Sequence, residues 1–379
     1  MRSVVLSSVV RTPIGRAGKG SLRDVRPDDL VAGVIARVIA DSGIDPGLID
    51  DHALGTGYPE GRQGSNLARR AGLLAGLGDR LPGSTVNRFC ASSLQATRLA
   101  AHAIMTGEAT AYLVSGVESV SQVGRTLKDE DKHPDLSSTD RITDVYVPMG
   151  VTAENVAERY GISREDMDVF AVQSHQRAVA AAAVHARDIL PVETPDGTVS
   201  ADDGPRPNTT LERLAGLKPV FREGGSVTAG NSCPLNDGAV AGVLVDEDVA
   251  AREGLPARAR VLGTSVCGLD PAYMGVGPIE AVRTLLTRKG LTIEDLDVVE
   301  LNEAFASQVL AVSRVLGIDI AHQLNPYGGA LALGHPFGMT GLRLVLTLVR
   351  GLEERQGRYG LAALCVGGGQ GMALLLERV

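Results

Sequence analysis

Residues 84–107, STVNRFCASSLQATRLAAHAIMTG, place a cysteine, Cys90, at the corner where a short β-prone run gives way to an alanine-rich helical pattern. A thiol at such a corner faces unsatisfied first-turn amides and the positive end of the helix dipole, and both favour thiolate over thiol. Cys90 is therefore a candidate nucleophile; the competing reading is a small buried hydrophobe. A nucleophile needs a base, an acid and oxyanion donors. Three later stretches are dense in reactive or glycine residues: NEAFA at 302–306, GGALALGHPFGMTG at 328–341 and CVGGGQG at 365–371. His335, in Gly-His-Pro, is the candidate base, because imidazole titrates near neutrality and can accept a thiol proton. His52, His102, His175, His185 and His322 sit in helical or strand patterns and read as structural, and His133 sits in a polar stretch and reads as solvated. Gly367, Gly368, Gly369 and Gly371 resemble a nest of backbone amides open to a substrate oxygen, and equally a tight turn between two strands. Cys365, at the end of an apolar run, is an acid/base, a resolving redox partner or a buried hydrophobe.

The elements that must position these residues alternate. Strand-like runs at 4–10, 52–57, 85–89 and 112–117 are interleaved with helical patterns at 29–42, 66–74 and 92–105. The second half repeats the order, with strands at 259–265, 298–301, 362–366 and 372–376 and helices at 277–289, 304–316 and 339–353. This is an α/β pattern. The halves also align with each other: SGIDPGLIDDHALG matches KGLTIEDLDVVELN, and the Cys90 corner matches the GHPFGMTG corner, which indicates an internal duplication. The organisation expected is a first half over 1–118, an inserted loop or lid with its return to that half over 119–246, and a second half over 247–379. Within the insertion, 125–150 is polar, and the segment from 149 has helical periodicity with Thr152 and Ser163 as candidate caps.

Composition bounds the function. The chain has 379 residues, 44% hydrophobic content and a net charge of −8, which suit a large globular core and argue against nucleic acid or an anionic membrane as partner. The start, MRSVVLSSVV, carries no apolar signal core, and no stretch reads as a membrane span. Cysteines at 90, 233, 267 and 365 show no CxxC pairing, so neither a zinc site nor a disulfide framework is indicated. A cytoplasmic protein is expected.

VNRFCASSLQA, MGVTAENVA, VTAGNSCPLNDGA, PAYMGVGP, NEAFA, GGALALGHPFGMTG and CVGGGQG together resemble, in order and almost end to end, the signature motifs of the thiolase family. The resemblance implies two pseudo-symmetric halves, each a five-stranded mixed sheet, in α-β-α-β-α layers with an inserted loop domain. It implies an acyl-CoA C-acyltransferase that cleaves 3-ketoacyl-CoA with coenzyme A to acetyl-CoA and a shortened acyl-CoA, or runs the reverse Claisen condensation, in fatty acid metabolism such as β-oxidation. In that family the cysteine matching Cys90 is acylated, the histidine matching His335 activates it, and the cysteine matching Cys365 shuttles a proton. A water held by Asn302, with His335, binds the enolate oxygen, and the amides of Cys90 and Gly367 bind the other oxyanion. Arg206 matches an arginine that lies against the adenine of coenzyme A, Cys233 a serine that contacts coenzyme A, and Phe221 and Met274 positions lining the pantetheine and acyl tunnel. Coenzyme A is then a substrate, with no permanently bound cofactor and no metal. Two chains are expected to pair as a homodimer, doubled in a homotetramer, and the acidic run 128–140 is a candidate dock for a β-oxidation partner subunit.

Three residues depart from the family pattern. Ser93 replaces a glycine and is expected to crowd the floor of the nucleophile helix; Cys233 weakens one hydroxyl hydrogen bond; Tyr327 replaces a small polar residue near the mouth of the active-site loop. VPMG before TAENVA resembles the degradative members, with an acetoacetyl-CoA-forming biosynthetic enzyme as the alternative. A ketosynthase is disfavoured by Cys365, and a non-catalytic acyl-CoA-binding relative by the intact Cys90, His335, Asn302 and Cys365. Oxidation of Cys90 with Cys365 to a reversible disulfide is a further expectation.

Overall fold

In a computed structural model, residues 2–123, 129–137 and 144–379 are described. The first half runs β1 (Val4–Arg11), α1 (Pro27–Ser42), β2 (Ile49–Gly55), α2 (Leu67–Leu74), β3 (Ser84–Val86), α3 (Ser92–Thr106) and β4 (Ala111–Ser119). The insertion contributes α4 (Met149–Tyr160) and α5 (Arg164–Ala180), and the chain returns through β5 (Asn236–Asp246). The second half runs β6 (Ala259–Gly268), α6 (Gly277–Lys289), β7 (Val298–Leu301), α7 (Ala306–Leu316), α8 (Phe337–Arg355), β8 (Tyr359–Val366) and β9 (Gln370–Arg378).

The strands pair in the order β7-β8-β9-β6-β1-β5-β4-β2-β3. In the first half β2 is parallel to β3 and β4, and β5 is antiparallel to both β4 and β1. The second half repeats this: β7 is parallel to β8, and β9 is antiparallel to both β8 and β6. The place of β3 is taken there by a single parallel bridge between Val299 and Leu324. Edge strands β1 and β6 join the two sheets through a short ladder, Val5 opposite Arg260 and Leu6 opposite Ala259.

Side-chain alternation builds the layers. Along β5, Val240 and Leu244 join the central core with Leu94 and Ile104 of α3 and Leu342 and Leu346 of α8. Ala239, Ala241, Val243 and Val245 face the other way, into a core with Val31, Ile35 and Val38 of α1. In β9, Met372, Leu374 and Leu376 face the centre, while Ala373 and Leu375 join α6 and α7. Two helices thus fill the space between two sheets covered on both faces, so most of the strands read as near-continuous apolar runs.

Local expectations differ at three places. β3 ends at Val86, and the chain then enters a short 3-10 turn, Phe89–Ala91, ahead of α3. Thr152 lies inside α4, which starts at Met149, whereas Ser163 caps α5 by accepting from the amide of Asp166. β5, unassigned from sequence, is fully buried between β4 and β1. The acidic run 128–140 falls partly outside the described residues. Among the described residues no helix is long and apolar enough to cross a membrane.

Candidate active site

Cys90 sits in the 3-10 turn ahead of α3, and Phe89 before it adopts a left-handed φ of 42°. That turn is held locally: Asn87 Oδ1 accepts from the Phe89 amide at 2.7 Å, and Ser92 Oγ accepts from the Arg88 amide at 2.9 Å. Ser92 Oγ also donates to Phe89 O at 2.6 Å and to Thr56 O, at the end of β2, at 3.2 Å. The Arg88 guanidinium reaches Gln95 Oε1 at 3.0 Å and Gln370 Oε1 at 2.7 Å, which ties the turn to the β8–β9 hairpin. The expected thiolate is corrected here. Part of the Cys90 residue surface stays accessible, yet burial is the largest influence and pushes its thiol up to about 12. The backbone of Gly367 and the residue's own amide act in the opposite direction, and the Glu118 carboxylate adds to the rise. A helix N-terminus stabilises charge by fractions of a kcal/mol to about 2 kcal/mol, and removing the thiolate's water costs more.

His335 is 1% exposed at the loop before α8. Its amide donates to Asn236 Oδ1 at 2.9 Å, and Asn236 Nδ2 donates to Gly15 O, so the loop is clamped rather than loose. Nδ1 lies 2.7 Å from Thr340 Oγ1, whose own hydrogen goes to Pro336 O at 2.8 Å. We assign the proton to Nδ1 on that basis, because the threonine hydrogen is already used. Nε2 then carries the lone pair and accepts from Asn302 Nδ2 at 3.3 Å. Burial, reinforced by the Arg343 cation, lowers the imidazole to about 3 and keeps it neutral. Asn302 follows β7, with its amide bonded to Ala363 O at 3.0 Å. Among the described residues its Oδ1 is buried with no partner, an acceptor that a water would satisfy.

Cys365 is buried at the end of β8, and its thiol is raised by burial first and then by Cys90 and Cys233. Gly367, Gly368 and Gly369 make the tight hairpin turn between β8 and β9, and the Gly367 backbone reaches the Cys90 thiol. Met149 Sδ and the Phe89 ring each lie 3.8 Å from where a side chain on Gly367 would begin. The structure therefore brings Cys90, Cys365, Gly367 and Cys233 into one cluster and pairs Asn302 with His335. Cys233 is tied by its amide to Ala304 O at 3.0 Å. Phe221, 39% exposed, packs against Gly150 and edge-on to Phe305 at 6.1 Å. Arg206 is exposed, its amide bonded to His175 Nδ1 at 3.2 Å and its cation beside that of Arg16. Met274 is 3% exposed inside the second half's outer core.

Two departures behave differently from expectation. Ser93 does not crowd the helix floor: buried, it donates to Met339 O at 3.2 Å and accepts from the Leu342 amide at 2.9 Å, stapling α3 to α8. Tyr327 stands edge-on to His185 at 6.5 Å and near Gly351 of α8, packed behind the loop. Residues passed over in sequence also hold the site. Glu303 accepts from Ser174 Oγ at 2.6 Å, Asn325 Nδ2 at 2.8 Å and the Leu331 amide at 3.1 Å, anchoring the loop that leads to His335. Glu118 binds the first turn of α8. Their signal was a carboxylate at the end of an apolar strand, where only a full set of donors makes burial tolerable.

Comparison with known proteins agrees with this geometry. The family model described as thiolase, N-terminal domain, matches residues 4–248, and that described as thiolase, C-terminal domain, matches 255–378. The beta-ketoadipyl-CoA thiolase of Pseudomonas aeruginosa is 47% identical over 402 residues, and the 3-ketoacyl-CoA thiolase of Bacillus subtilis 42% over 392, each covering 100% of both chains. Among solved structures, the Bacillus anthracis acetyl-CoA acetyltransferase matches with a TM-score of 0.91 at 39% identity, covering 100% of this chain and 99% of that one. Human mitochondrial 3-ketoacyl-CoA thiolase in complex with CoA matches with a TM-score of 0.91 at 37% identity, covering 100% and 98%.

Proposed function

The chain belongs to the thiolase family and is an acyl-CoA C-acyltransferase of the thiolytic kind, and we propose that it works through an acyl-Cys90 intermediate. The carrying observation is the convergence of the Cys90 turn, the Gly367 hairpin and buried Cys365, with the Asn302–His335 pair joined to that turn through the rings of Phe337, Tyr58 and Phe89. Cys90 rests as a thiol, so its proton must leave as it attacks. The Nε2 lone pair of His335 takes that proton while Sγ bonds to the 3-keto carbon of the substrate. The oxyanion formed there is held by the amides of Cys90 and Gly367.

Collapse of the adduct breaks the bond between the 2- and 3-carbons and leaves the thioester enolate of acetyl-CoA. Its oxygen is stabilised by His335, now carrying a proton on Nε2, and by a water on the open Oδ1 of Asn302. Cys365 delivers a proton to the enolate carbon and, as thiolate, then takes one from the incoming coenzyme A thiol. That thiol attacks the acyl-Cys90 carbonyl, the shortened acyl-CoA leaves, and His335 returns its proton to Cys90. Coenzyme A is substrate throughout, bound along Arg206, Phe221 and Cys233 with Met274 behind the acyl channel, and the cycle closes without a bound cofactor or metal.

Intact-protein mass spectrometry after mixing with 3-ketoacyl-CoAs tests this. Wild type gains an acyl mass that maps to Cys90, and Cys90→Ser gains none; a folded wild type that gains none refutes the mechanism. A 3-ketoacyl-CoA as the substrate class is supported by the names of two curated relatives, a beta-ketoadipyl-CoA thiolase and a 3-ketoacyl-CoA thiolase, and the degradative direction is the one this reading takes. A homodimer or a homotetramer is the assembly this reading takes from the family resemblance. Sedimentation at micromolar concentration is expected to show twice or four times the chain mass; a monomer overturns it.

A further inference from the structure

Glu118 lies at the end of β4, 1% exposed, and is used by no step above. Its Oε2 accepts from the Gly57 amide at 2.7 Å and from the Gly338 amide at 2.9 Å; its Oε1 accepts from Gln63 Nε2 at 2.6 Å and Thr56 Oγ1 at 3.4 Å. These partners come from different parts of the site. Gly338 is in the first turn of α8, three residues after His335, and Pro336 at its N-cap offers no side-chain cap. Thr56 belongs to the Cys90 side, because its carbonyl accepts from Ser92 Oγ and its amide donates to Val86 O. A side chain on Gly57 would begin 2.8 Å from Glu118 Oε2 and 3.0 Å from Phe337 Cβ, so the glycine there makes room for the carboxylate. A second, apolar chain runs beside the first, from Phe89 through Tyr58 and Phe337 to His335, with ring centroids 6.4, 5.8 and 5.1 Å apart.

Resting on the acyl-transfer reading above, we infer that Glu118 is a positioning residue that locks the His335 loop of the second half to the Cys90 turn of the first. The Gly57 and Gly338 amides and Gln63 Nε2 can only donate, so they favour the ionised carboxylate and oppose the burial that pushes its carboxyl up. The carboxylate supplies from another strand the anion that the N-terminus of α8 lacks. Its charge has a second consequence. Around the Cys90 thiol stand Glu118 from β4, Cys365 from β8 and the amides of Gly367 and Cys90. Burial is the main reason that the resting nucleophile keeps its proton until His335 takes it, and the carboxylate adds to it by opposing a second negative charge there.

Two variants separate charge from reach. Glu118→Gln keeps the shape and removes the charge; Glu118→Asp keeps the charge and withdraws it by one methylene from Gly338. Iodoacetamide alkylation of Cys90, read on its own peptide across pH 7–10, is expected to run roughly two- to threefold faster in Glu118→Gln, with a profile displaced to lower pH, and to keep the wild-type profile in Glu118→Asp. Thiolysis should lose on the order of tenfold or more in kcat in both, with KM for coenzyme A within about twofold, as misplacement of a base does. A purely structural role would lower melting temperature and activity without moving the alkylation profile of Glu118→Gln. Wild-type alkylation together with wild-type kcat in Glu118→Gln overturns the proposal. Should that variant not fold, Glu118→Asp decides: a lowered kcat with the melting temperature and the KM for coenzyme A held at wild-type values upholds the proposal, and an unchanged kcat, or a loss of kcat that only follows a lowered melting temperature, overturns it. The alkylation arm contains no acyl-CoA, so it reports on Glu118 even if no acyl-Cys90 adduct forms.

Discussion

At the scale of residues, the site couples a thiol that resists ionisation with an imidazole that resists protonation. Cys90 is pushed up to about 12 and His335 down to about 3, each chiefly by burial. Neither would act alone near neutral pH, and proton transfer between them is favourable only with substrate present to absorb the charge. His335→Ala is expected to lower kcat by about two to four orders of magnitude, with KM for coenzyme A little altered. Steady-state thiolysis checks it, and a loss below threefold would mean that another group serves as base. Ser93 teaches a related lesson. Where a glycine is usual in the family, its hydroxyl found both a donor and an acceptor on the facing helix, so burial of the extra polar atom is offset rather than strained.

At the scale of elements, α8 carries the most constraints. It presents Thr340 to His335 and buries Arg343 beside Glu300 of β7, 3.6 Å apart and respectively 1% and 0% exposed. Among the described residues no hydrogen bond reaches either charged group. Arg343 does not offset the burial, which, aided by Glu303, pushes the Glu300 carboxyl up to about 8. The folded chain thus holds a proton that the unfolded chain gives up near pH 4.3. Stability from this group is fully present below that value and is lost as pH rises through about 8. Glu300→Gln stays neutral throughout, so urea unfolding should show the variant gaining on wild type between pH 5 and 8. A constant gap would show the carboxylate to be ionised over the whole range.

For the whole molecule, buried neutral histidines set the acid limit. His52 and His175 are lowered to about 4 and His335 to about 3, in each case mainly by burial. Unfolded, each would titrate near 6.5. Their folded values are depressed, so the stability they contribute is present above pH 6.5 and lost as pH falls toward 3 or 4. Below about pH 5.5 the three together should steepen the loss by up to about 4 kcal/mol per pH unit. Denaturant unfolding between pH 4.5 and 7 measures this slope. His52→Gln is expected to flatten it by about a third; an unchanged slope would mean that His52 charges within the fold.

Much of this protein was determined by its sequence alone. The alternation of strands and helices, the duplicated halves, and Cys90, His335 and Cys365 at strand or helix ends were legible because apolar periodicity and glycine-flanked reactive residues are local signals. β5 was not, since NDGAVAGVLVD follows a turn-rich stretch and its small residues suit either a strand or a buried helix. Only the tertiary structure decided the state of the groups. The Cys90 corner reads as a thiolate site until the packing around it is known, because the helix dipole is local and desolvation is not. Glu118 and Glu303 read as ordinary carboxylates until the fold surrounds them with donors contributed from distant parts of the chain.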